Sequence, residues 1–149
     1  MHSQAREVAP RVAYEVWMIR EARRLHREAS DRPMKNSLLE SFLLHARNLH
    51  DFFSRSRADL KGQHATDVIA EDFFDDVAQW KRPTMPFLDE HRQRIHRSIA
   101  HLTYHRVAYE KNKRIWKLDT ILMEIDGVWT AFVENIPVER RAWFGDVAR

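Results

Sequence analysis

The residues best suited to chemistry run from Glu90 to Arg106, in the order E-H-R-Q-R-I-H-R-S-I-A-H-L-T-Y-H-R. At about 100° per residue, a helix here gathers Leu88, Ile95, Ile99 and Leu102 on one side. Glu90, Arg94, Arg97 and His101 gather on another side, within roughly 60° of one another. Arg94 and Arg97 then stand two turns and one turn before His101. Imidazole titrates near neutrality and can move a proton to or from a 2′-hydroxyl or a leaving oxygen. Arginine offers a permanent forked cation to a phosphate as its charge develops. The set fits cleavage of an RNA phosphodiester, and that chemistry needs no metal or cofactor. Neither Arg94 nor His101 falls on the apolar side of the helix, so replacing either is expected to leave stability unchanged.

This stretch resembles the HEPN superfamily, small helical-bundle proteins of bacterial toxin, abortive-infection and defence systems. The family motif is an Arg, four to six residues, then a His on a late helix. Arg94, six intervening residues and His101 match it. Ile99 to Tyr104, I-A-H-L-T-Y, is similar to an I-A-H ending frequent in such proteins, and Glu40 to Phe53 fits the long second helix of abortive-infection-type members. The resemblance implies Arg94 and His101 as catalytic residues of a metal-independent ribonuclease, with Arg97, Glu90 and Tyr104 in support. It also implies a homodimer whose motifs meet at the interface, and an antitoxin or other protein as a partner. Many members are non-catalytic, which leaves an RNA- or protein-binding module as the alternative. The sequence departs from the commonest form in carrying His96 where Arg is most usual.

Plainer readings stand beside these. Glu90, Arg94 and Arg97 also fit a solvated helix face with a Glu90–Arg94 ion pair. His101 fits a polar residue near a helix C-terminus. His101 and His105 are four apart, but H-x-x-x-H without a carboxylate at ligand spacing is a weak metal signal. His45 reads as a hydrogen-bonded core histidine. Glu71, Asp72, Asp75 and Asp76 read as a solvated face, and Trp80, Trp116, Trp129 and Trp143 as core or interface packing.

The elements that must position these groups read as helices. Apolar periodicity predicts a first helix from about Val8 to Ser30, with Val12, Val16, Ile19, Tyr14, Met18 and Leu25 on its apolar face, broken by Pro33. A second runs from about Asn36 to Arg55, with Leu38, Phe42, His45, Leu49, Phe52 and Phe53 on one side and Asn36, Glu40, Arg47 and Asp51 opposite. After a loop around Gly62, a shorter helix is expected over about Val68–Trp80. The motif helix starts at Thr84–Pro86, with Asp89 and Glu90 near its positive end, and continues to about Leu102. The last helix, about Ile115–Asn135, has the strongest period and ends at Pro137. Gly127 inside it costs about 1 kcal/mol against Ala and is expected at a close helix crossing. The fold class is an all-α bundle of about five helices in an up-and-down arrangement, one domain over 1–149, with 1–7 and 138–149 as less regular tails.

Composition agrees. The 149 residues with 44% hydrophobic content supply a core without staples. Three glycines leave little stock for hairpins, and the lack of cysteine removes disulfides and thiolate chemistry. No stretch has the length of a membrane span, so a soluble, cytoplasmic protein without a membrane partner is expected. The mild formal charge of +3 is uneven. Acids crowd Asp67–Trp80 and bases crowd His91–Lys117, which points to a polyanion such as RNA or to self-association between the two segments.

Overall fold

The computed structural model describes residues 2–100 and 115–148, with side chains over 4–97 and 115–147. The chain is an all-α helical bundle, and no strand occurs among the described residues. His101 and Tyr104 lie outside the described residues, as do His105 and the end of the motif helix.

Helix α1 (His2–Glu28) begins six residues before the expected start, and residues 2–7 belong to it rather than to an irregular tail. Its inner face is narrow and small-residue rich: Ala5, Ala9, Val12, Ala13, Val16, Ile19 and Ala22 are buried. Tyr14 and Leu25 are on the outside instead, because the neighbouring helices cover only about a third of the circumference.

Helix α2 (Arg32–Ser54) starts before Asn36. Pro33 does not break α1, which has already ended. It occupies the first turn of α2, where its missing N–H costs nothing. Asp31 caps that turn by accepting from the Met34 N–H at 2.9 Å. The short connection over 29–31 folds α2 back along α1. His45 is buried between them, its Nδ1 2.7 Å from Glu15 Oε2, as a core histidine should be.

The expected helix over Val68–Trp80 is replaced by two 3-10 turns, Ala70–Phe73 and Val77–Gln79. The physical reason is local. Asp72 accepts from the Ile69 N–H at 3.0 Å and Asp76 from the Ala78 N–H at 2.9 Å, which satisfies the backbone without a helix. The acids here are a solvated face only in part: Asp75 and Asp76 are exposed as expected, whereas Glu71 and Asp72 turn inward. Glu71 is buried and accepts from the Arg57 N–H at 2.9 Å, Asp72 pairs with the Arg57 guanidinium, and Asp75 pairs with buried Arg140. Arg140 also donates to the Phe73 carbonyl at 2.7 Å.

Helix α3 (Pro86–Ala100) starts at the expected proline. Helix α4 (Leu118–Asn135) starts three residues later than expected and lies against α1, α2 and α3. Its Phe132 is fully buried at the centre of an aromatic core, edge-on to Phe52, Phe73, Trp80 and Phe144. Gly127 marks no close crossing: it is exposed, and a Cβ placed there would meet nothing within 4 Å. The C-terminal segment is also more regular than expected. Helix α5 (Val138–Arg141) runs into 3-10 turns over Ala142–Ala148, which pack on α1 with Phe144 buried. Trp129 donates to the Val147 carbonyl at 3.0 Å and ties that segment to α4.

Candidate functional site

Helix α3 is held by carboxylates and a histidine from its neighbours. Its free N-terminal N–H groups at Phe87 and Leu88 donate to the Glu124 carboxylate of α4, at 2.8 and 3.1 Å. Asp89 accepts from the Met85 N–H at 3.2 Å, and its other oxygen meets His50 Nε2 of α2 at 2.7 Å. The start of α3 is thus fixed to both α4 and α2, and every side chain further along inherits that placement.

Of the motif residues, Glu90 is exposed at that end, 4.0 Å from His91 Nδ1. Arg97 is half-buried two turns on. Arg94 is buried, only 9% exposed, and its guanidinium carbon lies 3.6 Å from the centroid of the Trp116 ring. The expectation that Arg94 faces away from the packed side is corrected. Trp116, just before α4, covers the sector of α3 that the wheel leaves open, and the Arg stem packs with it. Trp80 and Trp129 are buried and Trp116 and Trp143 pack against the core, in keeping with their expected role.

On the opposite side of the helix, α3 presents a different set. Arg92, Gln93 and His96 line a cleft of about 470 Å³ with Arg47 and Asp51 of α2, with Arg55 at its C-terminal cap, and with Gln63 and His64 of the intervening loop. A second hollow shares Arg47, Asp51, Arg55 and His64 and continues to Asn48 and Asp67. The loop wall is pinned from behind. Arg57 donates to the carbonyls of Ala65 and Asp67 at 3.2 and 3.1 Å, and Gly62 makes the turn with a left-handed φ of 59° that favours glycine.

Across the cleft floor runs a chain of charges. Asp51 accepts from Arg92 at 3.0 Å and from Arg55 at 2.9 Å, and Arg55 reaches Asp67 at 2.8 Å. His64 donates from Nδ1 to Asp67 at 2.9 Å, which turns its Nε2 outward beside the Gln63 amide at 3.3 Å. Burial alone would raise the Asp51 carboxyl. The neighbouring His50 ring and the guanidinium groups of Arg92 and Arg55 outweigh it and hold Asp51 below its ordinary value. His50 Nδ1 stands 3.9 Å from Asp51, too far for a hydrogen bond, so the two guanidiniums are the specific partners. Arg47 lines both hollows and has no carboxylate partner among the described residues.

The sequence singles out Arg94 and His101, of which His101 lies outside the described residues, and the structure brings together Arg47, Arg55, Arg92, His64 and His96. His96 enters the sequence reading only as a departure from the motif, and Arg47 only as part of the polar side of α2. The available signal was the i, i+4 pair Arg92–His96 on one side of α3 and Arg47–Asp51–Arg55 on one side of α2. No group of three or more His, Asp or Glu among the described residues is arranged to hold a metal ion. No described helix is long and apolar enough to cross a membrane. In comparison with known proteins, no family model, curated protein or solved structure matches the chain.

Proposed function

We propose that this chain is an HEPN-like RNA-binding module that holds RNA by its phosphates in the cleft between α2, the Gly62 loop and α3. The observation that carries the reading is Arg47, an arginine without a carboxylate partner among the described residues, facing the same cleft as Arg92 and His96. A forked cation in an open, water-filled cleft retains its donors for an incoming phosphate oxygen. Arg92 is bound to Asp51 through one Nη and also lines the cleft.

Binding is favoured over cleavage because the motif arginine is committed elsewhere. Arg94 is packed beneath Trp116, whereas the ribonuclease mechanism needs it against a scissile phosphate. From the resemblance we carry over a homodimer, a cytoplasmic setting in bacterial defence and an antitoxin-like protein partner. The cleft reading is tested by titrating a labelled RNA with the wild type and with Arg47→Ala and Arg92→Ala across a range of salt.

A further inference from the structure

The cationic cleft already holds an anion of its own. Asp51 lines both hollows, and its side chain is 20% exposed. Its two oxygens are divided between two elements. Oδ1 accepts from Arg92 Nη2 of α3 at 3.0 Å, and Oδ2 accepts from Arg55 Nη2 at the cap of α2 at 2.9 Å. Arg55 is held a second time, through Nη1, by Asp67 at 2.8 Å. Burial opposes the charge on Asp51, but His50 and the two guanidiniums outweigh it and keep the group a carboxylate. Arg47, one turn earlier on α2, lines the same two hollows and has no carboxylate partner among the described residues. A carboxylate spanning two guanidiniums does there what a phosphate would do, presenting anionic oxygens to forked N–H donors.

We propose that Asp51 is a built-in competitor of the ligand, which limits the affinity of the cleft by occupying Arg92 and Arg55. The inference rests on the phosphate-binding reading of the cleft and adds how that site is regulated. An incoming phosphate meets Arg47 without displacing a carboxylate. At Arg92 and Arg55 it contends with an anion that is already seated and tethered. The same two bonds tie α2 to α3, so Asp51 adds to stability while it subtracts from binding, a conflict common at functional sites. A purely scaffolding role has the opposite sign. Loosening the α2–α3 contact alone would disorder the cleft and weaken binding.

The test uses the full chain and a fluorescein-labelled 12-nucleotide uridine-rich RNA, titrated by anisotropy from about 50 to 200 mM salt. It compares wild type, Asp51→Asn, Asp51→Ser, Asp51→Glu, Arg47→Ala and Asp59→Asn. Asp59 is bound to Arg82 at 3.4 Å and lines neither hollow. Asp51→Asn and Asp51→Ser should each bind roughly 3- to 10-fold more tightly at low salt, the size of one charge–charge interaction at about 4 Å in water. Their slope of log K against log salt should steepen by about 0.7, as one more cation meets a phosphate. Asp51→Glu keeps the charge and should stay near the wild type. Asp59→Asn removes the same charge but releases no arginine of the cleft, and should tighten binding much less. The urea midpoint of Asp51→Asn should fall while its affinity rises, which scaffolding alone does not produce. Unchanged or weaker binding by Asp51→Asn and Asp51→Ser, with Arg47→Ala still impaired, overturns the competitor and leaves the cleft standing. Equal tightening by Asp59→Asn also overturns it, by assigning the effect to net charge. No binding by the wild type or by any Asp51 variant overturns both readings.

Discussion

The Arg94 guanidinium carbon lies 3.6 Å from the centroid of the Trp116 ring, a contact that joins the middle of α3 to the segment leading into α4. A cation desolvated against an indole face is worth about 2 kcal/mol. Arg94→Ala should therefore cost about 2 kcal/mol in urea unfolding, and Arg94→Lys about half of that, since an ammonium does not stack as a plane. Trp116→Leu, which removes the ring, and the double variant with Arg94→Ala close a cycle that isolates the coupling. A loss below about 0.5 kcal/mol for Arg94→Ala would place the residue among ordinary surface positions.

Gly127 gives a prediction of opposite sign. It sits inside α4, exposed, with free space where a Cβ would go. Gly127→Ala should stabilise the chain by about 0.8–1 kcal/mol through helix propensity and a less flexible unfolded state. Any measurable loss in the urea midpoint would mean that an unseen neighbour uses the space.

These two positions show what could be read from the sequence and what could not. The long helices were legible because Val12, Val16 and Ile19, or Ile121, Ile125 and Phe132, repeat at the helical period and are buried together. The segment Val68–Trp80 carries the same spacing at Ile69, Phe73 and Val77 but forms turns, because Asp72 and Asp76 bond their own backbone and Arg57 and Arg140 pair with Asp72 and Asp75. Local periodicity carries no information on those distant arginines. Arg94 was misplaced for the same reason. A wheel orders residues around one helix, and Trp116, 22 positions on, decides which sector is covered. The cleft needs three separate segments, which no single periodic pattern contains, and Tyr14, which reads as part of the apolar face of α1, is exposed.

Asp51 contributes to the acid limb of stability. Its carboxyl is held below the ordinary value of 3.8 in the folded chain, so the stability it contributes is complete above that value. It is lost as pH falls through the lower, folded value. Urea midpoints of wild type and Asp51→Asn should differ most at neutral pH and converge below about pH 4. A gap that stays constant down to pH 2 would show that the Arg55 and Arg92 pairs contribute nothing through ionisation.

The motif histidine separates binding from turnover. With a mixed RNA pool in EDTA, wild type and His101→Ala should leave the RNA equally intact over hours. Chelator-resistant cleavage by the wild type that falls roughly 10²- to 10⁴-fold in His101→Ala would restore general acid–base catalysis at that residue.

The most direct test of the cleft is the salt dependence of RNA affinity for wild type, Arg47→Ala and Arg92→Ala, measured by anisotropy from about 50 to 200 mM salt. Each variant should bind more weakly at low salt, and each should lower the slope of log K against log salt by about 0.7, one phosphate contact on a single strand. Arg24→Ala, which is paired with Glu21 and Glu28 and lines neither hollow, should change neither. Equal affinities and equal slopes for all four proteins would contradict a phosphate-binding cleft.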